Sequence, residues 1–332
     1  MNVVRGLADL PRRRPDAAVS IGNFDGVHRG HRALIRRLLA RAEAVSGVPT
    51  VVTFDPHPQQ VLRGAGPPAL VTPERKIQLL ASTGIERLVV LPFDRALSLV
   101  EPEDFVERIL LRELKAKAVV VGANFRFGHF ARGDAAMLRS MGRRLGFGFE
   151  SVKLAELEGR RLSSTEIRKA IAEGDLRWAA KALGRPYAIQ GFVVRGTGRG
   201  QRLLGYPTAN LEPVPGLCLP ATGIYAGYFN MAGSSPAVPG RQPAPGQGNG
   251  SRRMQAAVSV GTNPTFGENP LSIEAFVLDY HGDLYGRTAE IELAARIRDE
   301  ERFDTPDALA KAIEADVVAT RRILSSRAPR AQ

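Results

Sequence analysis

The stretch SIGNFDGVHRGH, Ser20 to His31, holds two of the chain's five histidines, three residues apart, among three glycines. An apolar run, AAVSI (17–21), leads into it. Behind it Leu34, Ile35, Leu38, Leu39 and Ala42 recur at helical spacing from His31 to Val45. The stretch therefore reads as the end of a strand, a glycine-bearing loop and the start of a helix. Three chemistries fit its histidines: a metal site, side chains incidental to a helix start, or a phosphate cradle. A metal needs a third ligand, and neither a cysteine cluster nor an HExxH pattern supplies one. The loop stands at the carboxyl end of a strand, where open α/β sheets bind ligands. The helix start offers unpaired N–H groups and a positive dipole end, both suited to phosphate. Two imidazoles there favour the cradle. It is neither a GxxxxGK[ST] loop nor a GxGxxG turn.

Around this stretch, the first half alternates apolar runs with helical patterns. Strands are expected at 17–21, 48–54, 87–91, 117–121 and 147–152, and helices at 31–45, 73–83, 102–113 and 134–145. Near-continuous apolar strands alternating with helices imply a parallel sheet covered by helices on both faces. Ser163 and Glu166 form a capping box that opens a helix at 164–172. Asp175 caps another, ending at Gly184.

From Arg185 the texture changes. Glycine and proline come often, and the short runs IQGFVV, IYAGYF, MQAAVSV, SIEAFVL and AEIEL lie between them. That is an all-β pattern, read as a small antiparallel barrel. A helix over 305–325 follows, capped by Thr305 with Pro306 at its first position. Residues 232–253 are rich in Pro, Gly and Ser and read as a long flexible loop between strands. The expected organisation is one domain over 1–183 and a second over 184–332.

Composition narrows the class. The 332 residues are 44% hydrophobic and carry a net charge of +12. Residues 1–183 hold 30 basic and 20 acidic side chains and the rest 16 and 14, so the excess sits in the first half. A nucleic-acid surface or a polyphosphate site would both produce it. Most of these arginines fall on helix faces (Arg36, Arg37, Arg41; Arg139, Arg143, Arg144), which is equally a solvated surface. No apolar run approaches the roughly eighteen residues of a membrane span, and the N-terminus has no secretory apolar core. Cys218 is the single cysteine, which excludes an intramolecular disulfide and fits a reducing cytoplasm.

Four motifs stand in order through the first half: GNFDGVHRGH (22–31), FDPHP (54–58), VGANFRFG (121–128) and LSSTEIR (162–168). Together they resemble the N-terminal, Rossmann-like nucleotidyltransferase module of bacterial bifunctional riboflavin kinase/FAD synthetases. The resemblance implies an FMN adenylyltransferase that joins FMN to ATP, releases pyrophosphate and yields FAD. His28 and His31 would be catalytic, holding the nucleotide phosphates as charge develops. Gly22, Phe24, Asn124, Ser164, Thr165 and Arg168 would bind ATP. Phe54, Pro56, His57, Pro58, Arg126, Phe127 and Gly128 would line the flavin site.

The second half carries RGTGRGQRLLG (195–205), GYPTAN (205–210), VSVGTNPTF (258–266), IEAFVLDYHGDLYG (273–286) and RDEERFDTPDAL (298–309). These resemble the riboflavin kinase module of the same family. Thr208 and Asn210, two apart, point to one side of an extended segment and offer hard oxygen ligands suited to Mg2+. The resemblance makes them the metal and ATP site, with Gly196, Gly198 and Gly200 as the phosphate loop and Glu274 as the base acting on the riboflavin 5′-hydroxyl. QRLL between Gly200 and Gly205 is one residue longer than the usual spacing, with Arg202 standing in for the family's arginine.

The implied partners are riboflavin, FMN and ATP, with no nucleic acid and no membrane; a homo-oligomer is compatible with the sequence. Three rivals stay open at this stage: a chain with one active module, a basic nucleic-acid-binding protein, and a flavin-storage protein without catalysis.

Overall fold

The computed structural model describes residues 1–153, 155–195, 208–231, 253–262, 271–280 and 282–326. Gly196, Gly198, Gly200, Arg202 and all of the 232–253 loop except Arg253 lie outside the described residues. The chain divides into two compact units. The first is Met1–Pro68 with Pro73–Glu166, and the second is Ala69–Thr72 with Ile167–Gln332.

In the first unit, β1 (Asn2–Arg5), β2 (Ala17–Ile21), β3 (Val48–Asp55), β4 (Arg87–Pro92), β5 (Ala116–Gly122) and β6 (Gly148–Val152) form one sheet. Its order is β1-β4-β3-β2-β5-β6, and every pairing is parallel. The chain leaves β2 to build one side through β3 and later returns to build the other through β5. The sheet thus has its switch point beside β2, where the first loop emerges.

Helix α1 (Arg29–Ala44) buries Leu34, Ile35, Leu38 and Ala42 and packs against β2, β3 and β5. Ala17, Val19 and Ile21 turn the other way. They share a core with Phe105, Val106, Ile109, Leu110, Leu138 and Met141, to which α1 contributes nothing. Helices therefore cover both faces, as the alternation predicts. Phe105–Glu113, expected as ordinary helix, winds as a π-helix that closes with Leu114 N–H on the Ile109 carbonyl. Further helices in this unit are α2 (Pro58–Arg63), α3 (Pro73–Ala81) and α4 (Ala135–Leu145).

Helix α5 (Ser164–Ala172) begins in the first unit and continues into the second, where α6 (Leu176–Leu183) follows. Six antiparallel strands then close a barrel: β7 (Tyr187–Val194), β8 (Thr208–Pro213), β9 (Gly223–Met231), β10 (Arg253–Thr262), β11 (Leu271–Val277) and β12 (Thr288–Arg298). Their order around it is β7-β8-β11-β10-β9-β12. Strand β7 alternates strictly, burying Tyr187, Ile189, Gly191 and Val193. The Tyr187 hydroxyl donates to the Cys218 carbonyl inside.

The terminal helix α7 (Pro306–Ser325) is capped by Thr305, whose hydroxyl accepts from Ala308 N–H at 3.2 Å. It lies on the barrel's outer face, with Leu324 against Ala226 and Ala294, and Val317 against Ala257 and Phe276. Arg298 fastens it through two bonds to the buried Asp316, at 2.9 and 2.7 Å. A short excursion joins this unit from the N-terminal sequence. Ala69 bridges Leu217, and the Thr72 hydroxyl donates to Gln190 Oε1 at 2.6 Å.

Leu38 is fully buried beneath α1. Leu38→Ala should destabilise the first unit by about 3 kcal/mol, the ordinary cost of lost burial plus a cavity. Calorimetry checks this as a lowered unfolding transition relative to the wild type.

Candidate active sites

The loop after β2 is built on a strained backbone. Phe24 (φ 49°) and Val27 (φ 41°) adopt left-handed conformations, and Gly26 (φ 76°) lies between them. Such conformations cost on the order of 1 kcal/mol or more per non-glycine residue and persist where the surroundings impose them. Phe24 is buried under the loop with its ring centroid 5.1 Å from that of His31.

His28 caps α1: its Nδ1 accepts the His31 backbone N–H at 3.3 Å. Accepting at Nδ1 leaves the proton of a neutral ring on Nε2. The two imidazoles stack with centroids 3.6 Å apart and planes 20° apart. Gly30 makes the stack feasible, because a Cβ there would stand 3.0 Å from His28 Cε1. His31 is partly accessible, but its Nδ1 is buried with no hydrogen-bond partner among the described residues. Burial, then the neighbouring His28 and Lys76, hold the His31 imidazole well below the usual protonation range. Two charged rings at that separation would repel, so the pair favours at most one charge.

Other elements converge on this loop. Ser164, at the start of α5, donates its hydroxyl to the Asp25 carbonyl at 2.9 Å. Glu166 N–H donates to the Ser163 hydroxyl at 3.3 Å, which is the cap the sequence predicts. Thr165 is exposed, and Arg168 falls in the second unit. From the end of β3, the His57 ring meets the Asn23 amide at 3.0 Å. His57 Nδ1 also caps α2 by accepting Gln59 N–H at 3.2 Å, so FDPHP is a strand end that turns directly into a helix. Pro56 is exposed and Pro58 half-buried, while Phe54 packs edge-on against Phe93 with ring centroids 5.6 Å apart.

Lys76 was not singled out in the sequence. It reaches in from α3 to lie 3.5 Å from both the Asn23 carbonyl and the Thr53 hydroxyl. Burial lowers the affinity of its ammonium for its proton, while Asp25 and Asp55 counter that effect. In PERKIQLL it reads as one of several helix charges, and only the fold turns it inward.

Asn124 stands exposed just past β5, at the same sheet end as the histidine loop, and Gly22 leads out of β2. Arg126 is exposed and pairs with Asp134 at 3.4 Å. Phe127 is buried in the sheet core, stacked on Phe125 and tilted against Phe105. Gly128 has φ +70°, and a Cβ there would come within 2.6 Å of Pro102, so only glycine fits.

In the barrel, strand pairing assembles the second set. Asn210 lies opposite Glu274, Glu274 opposite Ser259, and Thr208 opposite Phe276. Directly opposed residues share a face, as do residues two apart on one strand. Thr208, Asn210 and Glu274 therefore stand together on the outer face, while Ala209, Ile273 and Ala275 fill the interior. Asn210 is a buried polar side chain there. Hydroxyl, amide and carboxylate oxygens are the donors a hard divalent cation takes beside phosphate, so this set fits Mg2+. Among the described residues no cluster of three or more His, Cys, Asp and Glu side chains offers an alternative metal site.

Comparisons with known proteins follow the same division. A family model described as FAD synthetase matches residues 10–166, and one described as riboflavin kinase matches residues 183–324. The bifunctional riboflavin kinase/FMN adenylyltransferase of Pseudomonas fluorescens is 36% identical, over 99% of this chain and 100% of that protein. Its Escherichia coli K12 counterpart is 35% identical over 97% of each. A fold pairing a nucleotidyl-transfer sheet with a flavin-kinase barrel defines a two-activity flavin enzyme. This chain belongs to the bifunctional riboflavin kinase/FMN adenylyltransferase family.

A solved structure described as a macrolide-efflux protein from Streptococcus pneumoniae superposes with a TM-score of 0.81 at 29% identity, over 96% of this chain and 98% of that one. Among the described residues, no helix is long and apolar enough to cross a membrane.

The lowered His31 pKa has a consequence for stability. Between that value and the unfolded value of about 6.5, the unfolded chain binds a proton that folded His31 refuses. The stability of the first unit should therefore fall as pH drops below about 6.5. Urea midpoints at pH 7.5 and 5.5 measure the fall, and His31→Gln should lessen it.

Proposed function

We propose that the second unit phosphorylates riboflavin to FMN with ATP, and that the first unit adenylylates FMN to FAD with a second ATP, releasing pyrophosphate. The observation that carries this reading is the convergence of His28, His31 and Ser164 on one loop at the carboxyl end of β2, in a chain whose two halves match the two family models.

In the first unit an FMN phosphate oxygen attacks the α-phosphorus of ATP. The new P–O bond forms as the α–β bridge breaks and pyrophosphate leaves. No covalent enzyme group is needed, so the protein contributes positioning and charge stabilisation. His28 presents its Nε2–H to the polyphosphate from the first turn of α1. His31 lies against it and takes up a proton more readily once phosphate charge arrives. Backbone N–H groups at the start of α1, with Ser164, Thr165 and Asn124, hold the remaining oxygens. Phe54, Pro56, His57 and Pro58 form an apolar wall with one polar edge for the isoalloxazine ring. Arg126 and Gly128 continue it, and Phe127 supports it from the core.

In the second unit Glu274 accepts the proton of the ribityl 5′-hydroxyl as that oxygen attacks the γ-phosphorus and ADP leaves. Thr208 and Asn210 would hold Mg2+. When bound, the ion neutralises charge on the ATP phosphates. Gly196, Gly198 and Gly200 supply the phosphate loop in this reading. The single buried Cys218 fits a reducing, cytoplasmic setting.

Two substitutions separate the activities. His31→Ala should cut FAD formation by about 100-fold or more and leave FMN formation intact. Glu274→Ala should slow FMN formation by a factor on the order of 100 while supplied FMN is still converted to FAD. Chromatographic time courses with riboflavin or FMN as substrate read both.

A further inference from the structure

Among the described residues, Lys76 is a charged group at the histidine loop that none of the motifs accounts for. Its Nζ lies 3.5 Å from the Asn23 carbonyl and 3.5 Å from Thr53 Oγ1. Thr53 in turn donates to that same Asn23 carbonyl at 3.1 Å. A lysine, a β3 hydroxyl and the backbone of the strained loop thus form one knot directly before Phe24. Burying an ammonium is costly unless nearby groups offset it. Here Asp25 on the loop and Asp55 at the end of β3 favour its charge.

We propose that Lys76 is a positioning residue of the adenylyl-transfer site: its ammonium pins the loop at Asn23 and Thr53 and places a fixed positive charge behind the His28–His31 pair. The inference rests on the functional reading above for its catalytic meaning but not for its physical content. The charged and titratable groups around the pair are His28 on the first turn of α1, Asp25 on the loop, Asp55 and His57 at the end of β3, and Lys76 on α3. Burial, then His28 and then Lys76, oppose charge on His31. His31 therefore waits uncharged, and the arrival of polyphosphate reverses the balance. A surface lysine contributing only to α3 would affect neither the histidine nor the loop.

The test uses the full chain with 15N-labelled histidine. Imidazole signals are followed by NMR from pH 8 downward in the wild type, Lys76→Met, Lys76→Gln and Lys76→Arg. The Met and Gln variants should raise the His31 midpoint by about half a pH unit or more, and Arg should restore it. In steady state, Met and Gln should lower kcat/KM for FAD formation by about tenfold or more and move its acid limb with the His31 midpoint. Riboflavin phosphorylation should stay unchanged. An unmoved His31 midpoint in Met and Gln overturns the proposal, even if FAD formation falls. So does a midpoint that Arg fails to restore. A wild type that makes no FAD would instead refute the functional reading, while the NMR midpoints would still decide the role of Lys76.

Discussion

The first unit depends on a hand-over. The central strand β2 ends, the backbone turns left-handed at Phe24 and Val27, and His28 accepts the N–H of His31 to start α1. That bond orients one imidazole by its Nδ1 and sets the other against it. It also frees the remaining N–H groups of the first turn for an anion. Ser164, His57, Thr53 and Lys76 come from three other elements, and each bonds the same short loop. The local strain is sustained because so many neighbours determine it.

The second unit solves a different problem by register. A barrel must fill its interior with alternate residues, so the remaining ones are presented outside whether or not they are polar. Where β8 and β11 pair, this alternation brings Asn210 to Glu274 without any special loop. Farther along the same outer face, apolar side chains take over and α7 covers them, held by Arg298 and Asp316. One barrel surface therefore carries a polar site and a helix dock side by side.

Strong periodicity made most of the fold legible. AAVSI, VPTVVTF and KAVVV read as buried strands and are strands, and the alternation of β7 repeats residue by residue. Weak or short signals failed. NVVR gives β1 through a four-residue edge pairing with β4, too brief to stand out in a basic N-terminus. The TAN of the GYPTAN motif opens a strand, Thr208–Pro213, that the sequence pattern does not delimit. Residues 69–72 leave the first unit for the second, which no composition shift marks. At the site, the histidines were readable because a helix start gives them a reason. Lys76 was not, because its meaning comes from where α3 lies and not from its neighbours in sequence. Phe127 stands in a motif yet is buried in the core, a distinction only packing reveals.

The proposed division of labour places two chemically distinct transfers from ATP in two separate units of one chain. It is tested most directly by supplying riboflavin with ATP labelled at either the α- or the γ-phosphorus and separating the flavin products. The γ-label should enter both FMN and FAD, because the kinase phosphate is retained, and the α-label FAD alone, with pyrophosphate released. Failure of α-label to enter any flavin, or of γ-label to enter FMN, would contradict it.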